Sequence, residues 1–213
     1  MNDLFLLVAD KNMDFALKGA LERPQALEIR PLQYQIRTHP GRDGGMRKSG
    51  PEILALERRS FSHALLVLDF EGSGTDLMSS RALEAQLDER LKRVWDTQAK
   101  AIVIEPELDT WMWGSDNAIE EVIHWPPGHA IRAWLREHGF ELRSNGKPDR
   151  PKEALESLLR QVKLPRSSAL YQDIARKISL RRCQDAAFQR LRTQLAAWFP
   201  PLAACRTWEK IFL

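Results

Sequence analysis

Cysteine is scarce in this chain of 213 residues: only Cys183 and Cys205, in a stretch that reads as helical, with no metal-ligand spacing around either. That excludes a zinc ribbon and fits two reduced, structural thiols. His124 and His129 flank Pro126-Pro127, and their spacing does not argue for zinc. Long apolar runs are missing too. The first run, residues 4–8, is far too short for a membrane span, and its flanks Asp3 and Asp10 have the wrong sign for a secretory leader. The expectation is a cytoplasmic protein with no membrane partner. There is no Walker sequence, no GxGxxG after a strand, no fixed-period repeat and no low-complexity tract. Gly72-Ser73-Gly74 lacks the spacing of a nucleophile elbow, which leaves a Ser73 hydrolase a weak reading.

Hydrophobic residues make up 43% of the chain and charged residues 29%, an ordinary globular composition with enough mass, 24.5 kDa, for one well-buried core or one domain with a helical appendage. The net charge of +3 is unevenly spread. Residues 1–149 hold 19 bases against 24 acids, and residues 150–213 hold 13 bases against 5 acids. An acidic front and a basic rear fit a front that holds a metal and a rear that holds a polyanion. Basic decoration of helix faces accounts for the same numbers equally well.

The organising stretch is residues 62–74. Residues 64–68 are an unbroken apolar run, the pattern of a strand buried on both faces of a sheet, and the run stops at Asp69. Glu71 lies two residues on, so an extended backbone points both acids the same way before Gly72 lets the chain turn. A carboxylate pair at the carboxyl end of a central strand stands where open α/β sheets place ligands, and it suits a hard divalent cation. As an isolated pair, the same acids also read as solvated turn residues. Two further runs behave alike. Residues 4–8 end at Asp10, with a helix over 11–21 that carries Asp14 one turn later; residues 101–104 end at Glu105, with Glu107 beyond. Asp14 also reads as a first-turn acid favoured by the helix dipole. Three strands that deliver acids to one edge make a site.

Elsewhere the pattern predicts a strand or hairpin partner over residues 27–36, at an edge because of Pro31. It predicts a glycine-rich basic loop over 39–48, whose Arg42, Arg47 and Lys48 can approach phosphates or simply face solvent. A helix is expected over 53–59, one capped by Ser79 or Ser80 and ending near Trp95, and one opened by Pro126-Pro127. Trp111 and Trp113 read as core residues first and as a base-stacking surface second. A polar stretch near 144–150 marks a boundary between an α/β unit, residues 1–145, and a basic helical region, residues 150–213, with helices over 151–162, 168–180 and 184–198.

The order of these elements, with Asp10 and Asp14 after the first strand, Asp69 and Glu71 after the central one, and Pro106-Glu107-Leu108-Asp109 leading to Trp111 and Asp116, resembles the TOPRIM fold. In particular it is similar to small TOPRIM-like proteins of unknown function related to the overcoming-lysogenization-defect nucleases. Ile178, Cys183 and Phe188 echo a C-terminal pattern of that group. The resemblance spans nearly the whole chain through short motifs. It implies a TOPRIM-like parallel-sheet core with flanking helices and a C-terminal helical region. It further implies a Mg²⁺- or Mn²⁺-dependent nuclease acting on DNA or RNA in a bacterial anti-phage defence system, beside an ATPase or another defence-system protein. Asp10, Asp69 and Glu71 become the catalytic acids, and Asp10, Asp14, Asp69, Glu71 and Glu107 the metal set. Arg42, Lys48, Arg181 and Arg182 become contacts to nucleic acid. Two departures stand out: Asp10 occupies a place normally held by Glu, and Glu71 the second place of an Asp-x-Asp. They favour the competing reading, a catalytically inactive TOPRIM-like module that binds or scaffolds within a defence complex.

Overall fold

The computed structural model describes residues 1–77 and 79–201. Four strands, β1 (Asn2–Val8), β2 (Tyr34–Thr38), β3 (Phe61–Asp69) and β4 (Ala99–Ile104), form one all-parallel sheet in the order β2-β1-β3-β4. The fold is therefore α/β, with its parallel sheet flanked by helices. Between the strands run α1 (Lys11–Leu21), a short α2 (Pro24–Leu27), α3 (Arg42–Leu56) and α4 (Ser80–Trp95). After β4 come α5 (Asp109–Met112), α6 (Asp116–Ile123), α7 (Ile131–Glu137), α8 (Pro151–Gln161), α9 (Ser168–Lys177) and α10 (Ala186–Trp198). Among the described residues no helix is long and apolar enough to cross a membrane.

The chain steps from β1 outward to β2, then back across β1 to β3 and on to β4. With right-handed crossovers that reversal puts α1 on one face of the sheet and α3 and α4 on the other. It also opens a crevice at the carboxyl ends of β1 and β3, where the two directions part. The inner strands are apolar throughout because both faces are covered: Leu4 to Val8 and Ala64 to Leu68 are all essentially inaccessible. Helices α8, α9 and α10 contribute Leu158, Ile174 and Leu191 to the same apolar cluster. On the far side, α9 lies so close to α1 that a Cβ on Gly19 would come within 2.5 Å of the Gln172 carbonyl oxygen.

Several sequence expectations shift. The glycine-rich stretch at 39–48 is not a loop: α3 starts at Arg42 and takes in Gly44, Gly45, Gly50 and Pro51. Its glycines serve close packing. A Cβ on Gly50 would stand 2.6 Å from Leu66 Cδ1 of β3, and one on Gly45 would collide with the His39 ring. Pro51 has no N–H for the Arg47 carbonyl one turn back, and Arg90 of α4 donates to that oxygen instead at 2.5 Å. The edge strand is only Tyr34–Thr38, preceded by α2 and an irregular link through Pro31. Pro126-Pro127 lie in a turn, and the helix after them starts at Ile131. Cys183 lies buried in the link between α9 and α10, and Cys205 lies outside the described residues. Trp111 and Trp113 are core residues, 3% and 2% exposed, so neither offers a face for stacking.

At the β4 edge, side chains complete the ladder. Glu84 of α4 accepts the Val103 N–H at 3.0 Å, Asp88 accepts that of Ala101 at 2.8 Å, and Arg190 of α10 donates to the Val103 carbonyl at 3.2 Å. No further strand can add there without displacing them.

Candidate functional site

Each inner strand hands the chain to an acid at the same edge. Asp10 ends the turn after β1 and caps α1, its Oδ1 accepting the Met13 N–H at 2.9 Å. Asp69 is the last residue of β3, and the backbone stays in register with the β4 exit beyond it. Phe70 N–H donates to the Ile104 carbonyl at 2.8 Å and Glu71 N–H to that of Pro106 at 3.0 Å. Glu71 therefore keeps the same side as Asp69, and Glu107 and Asp109 come alongside from the β4 exit. A sixth acid, Asp43, arrives from the first turn of α3, with Oδ1 accepting the Asp69 N–H at 2.8 Å. All six line one cavity of about 230 Å³ at the β1/β3 crevice, and Glu153 of α8 makes a seventh acid in its wall.

The sequence-derived set is thus partly assembled. Asp10, Asp69, Glu71, Glu107 and Arg42 share this cavity. Asp14 does not: it pairs with Lys18 at 2.9 Å along α1, the role of an ordinary first-turn acid. Glu105 is likewise elsewhere, accepting from the Ser80 hydroxyl. Lys48 is exposed on α3 and absent from the cavity wall, and Arg181 donates to the Gln25 carbonyl at 2.9 Å, with Arg182 exposed beside it. The cavity's bases are Arg42, Lys152 at the start of α8, and Arg166 between α8 and α9. Ser73 is fully buried and does not line the cavity, which removes it as a nucleophile. Asp43 was hidden because the surrounding glycines mask a helix start. Lys152 and Arg166 were hidden because nothing in the sequence fixes where α8 and α9 fold back.

Crowding sets the electrostatics. Burial, followed by the neighbouring Asp43, Asp10, Asp109 and Glu107, pushes the Asp69 carboxyl well above the usual range. Burial raises Asp43, although the N–H from Asp69 opposes it. Glu107 is raised to about 7, by burial first and then by Asp109. Asp109 is raised by burial against the opposing hydrogen bond from Tyr171. A carboxyl near 7 changes protonation in the range where a general base works.

The donor set is all oxygen and rich in negative charge, which suits Mg²⁺ or Mn²⁺ rather than a soft metal. Asp69 uses Oδ1 to accept the Leu108 N–H at 2.9 Å, and Asp43 uses Oδ1 on Asp69, so each keeps its second oxygen for another partner. Among the described residues, no three such side chains are already drawn together as a metal cage.

Fold and site together define an α/β protein with an acidic cleft at the switch point of a doubly wound parallel sheet. Searches against protein-family models, curated proteins and solved structures found no match to the chain.

Proposed function

We propose that the cleft is a TOPRIM-like divalent-metal centre for phosphodiester hydrolysis in a cytoplasmic nuclease acting on DNA or RNA. The convergence of seven carboxylates from five segments on one small cavity that holds only three bases carries the reading. Like charges in a desolvated place destabilise the chain unless a cation joins them, and structural acids are seldom arranged so.

Asp10, Asp43, Asp69, Glu71 and Glu107 would hold Mg²⁺ or Mn²⁺, which polarises a phosphodiester and stabilises the leaving oxygen. The chain's own groups do the rest. Arg42 and Lys152 stand on the rim with no ion pair among the described residues and can meet the phosphate charge. Arg42 holds a left-handed φ of 48° at the start of α3, an uncommon state for a residue with a Cβ and a frequent one at working sites. A defence-system partner such as an ATPase remains part of this proposal through the sequence resemblance alone.

The test is cleavage of single-stranded DNA, duplex DNA and RNA with Mg²⁺ or Mn²⁺ by the wild type and Asp69→Asn. Asparagine keeps an acceptor for the Leu108 N–H while removing the charge. Cutting that requires metal and vanishes in the variant supports a nuclease. Salt-sensitive binding without cutting moves the assignment to a binding module, and cutting unchanged in Asp69→Asn sinks the metal centre.

A further inference from the structure

Tyr171 of α9 is fully buried, and its hydroxyl donates to Asp109 Oδ1 at 2.7 Å, in the wall of the cleft. A phenol has a single proton to give, so the N–H that Arg166 Nε directs at the same oxygen, at 2.7 Å, fixes which way that proton points. Arg166 is itself held by Glu156 at 2.8 Å and faces Asp109 Oδ2 at 3.5 Å. Both oxygens of Asp109 are thereby occupied from the C-terminal helices.

What Asp109 anchors is the segment that matters most to the cleft. Next to it, the Leu108 N–H holds Asp69 Oδ1, and one residue earlier is Glu107. On the other side, the Lys147 ammonium donates to the Thr110 carbonyl at 2.8 Å. Tyr171 is held in turn, because α9 packs closely on α1 at Gly19, and Asp10 caps the start of α1. The contacts close a circuit from Asp10 through α1, α9, Tyr171, Asp109 and Leu108 to Asp69.

We infer that Tyr171, oriented by Arg166, is a positioning residue that sets the Glu107–Asp109 segment against Asp69 and Asp10, so that the C-terminal helices complete the cleft. The inference rests on the metal-centre reading above. It assigns Tyr171 no contact with substrate. Its hydroxyl reaches the cleft acids through Asp109, and that makes its role separable from packing: a phenylalanine ring fills the same space without the hydroxyl.

The experiment is calorimetric titration of the full chain with Mn²⁺, comparing wild type, Tyr171→Phe, Asp109→Asn and the double variant, with thermal melts alongside. Tyr171→Phe should stay folded and bind Mn²⁺ about tenfold more weakly, the size typical for losing a group that orients a ligand. The double variant should bind no more weakly than Asp109→Asn, because both changes cut one link. If Tyr171→Phe fails to fold, Arg166→Lys takes its place: it keeps the charge in the cavity wall and removes the Nε–H that orients the phenol, and a smaller loss in the same direction is expected. Unchanged affinity in the folded variant, or losses that simply add, overturns the inference while leaving the metal centre standing. Wild-type protein without Mn²⁺ binding that depends on Asp69 overturns both.

Discussion

Glu84 and Asp69 are both acids at the sheet, and they are treated in opposite ways. Glu84 is 2% exposed on the β4 edge and is surrounded by donors: the Val103 N–H, Arg190 at 2.8 Å and Arg81 at 3.2 Å. Asp69 receives one N–H and otherwise faces Asp43, Asp10, Asp109 and Glu107. The first arrangement is that of a structural acid, whose burial is offset within the fold. The second leaves an electrostatic cost in place, and a chain bears such a cost where something outside it completes the site.

That contrast can be broken at either end. The largest effect belongs to Glu84→Ala, which strands Arg190 and leaves the Val103 N–H without its acceptor. Urea unfolding should show a loss of about 3 kcal/mol with an unchanged m-value. At the cleft, adding Mn²⁺ at a hundred times its dissociation constant should stabilise the wild type by about 2.7 kcal/mol. Asp69→Asn should show little of this gain. Without metal, Asp43→Asn should have the opposite sign to Glu84→Ala. It removes one of the crowded charges while keeping an oxygen for the Asp69 N–H, so stability should rise by about 1 kcal/mol as Mn²⁺ affinity falls. A loss of stability in metal-free Asp43→Asn would place the cleft acids in the same class as Glu84.

Strand ends were the legible part of this site. Three apolar runs each closing on an acid reveal β1, β3 and β4, because buried parallel strands leave an unmistakable run and the chain must turn at its end; Asp10 and Asp69 converge as expected, while the third strand delivers Glu107 rather than the Glu105 that closes its run. Asp14 misled because helical spacing places a side chain on a face without saying which face meets the sheet edge. The α3 region misled more deeply. Glycine and proline argue against a helix locally, yet Gly50 is needed for contact with Leu66 and the hydrogen bond lost at Pro51 is supplied from α4 by Arg90. Tertiary contacts of that kind have no local signature. The same holds for Tyr171 and Arg166, which reach Asp109 across 62 and 57 residues of sequence.

The smallest effect sharpens the contrast by pH. Glu107 is raised from an ordinary value of 4.5 to about 7 in the folded chain. The folded state therefore binds its proton more tightly than the unfolded state does, and metal-free stability from this group is fully present below pH 4.5 and lost as pH rises to 7. His39 and His63 act the other way. Burial lowers both below their usual 6.5, so they favour the unfolded state as pH falls. The informative quantity is therefore the difference between wild type and Glu107→Gln, measured by urea unfolding from pH 8 down to 4.5. Because Glu107 is only half-buried, solvent screening reduces the difference to about 1 kcal/mol, with the wild type gaining relative to the variant as pH falls. Saturating Mn²⁺ should erase that gain, since the ion needs the carboxylate and releases the proton on binding. A difference that stays flat with pH would show that Glu107 faces water like any surface acid.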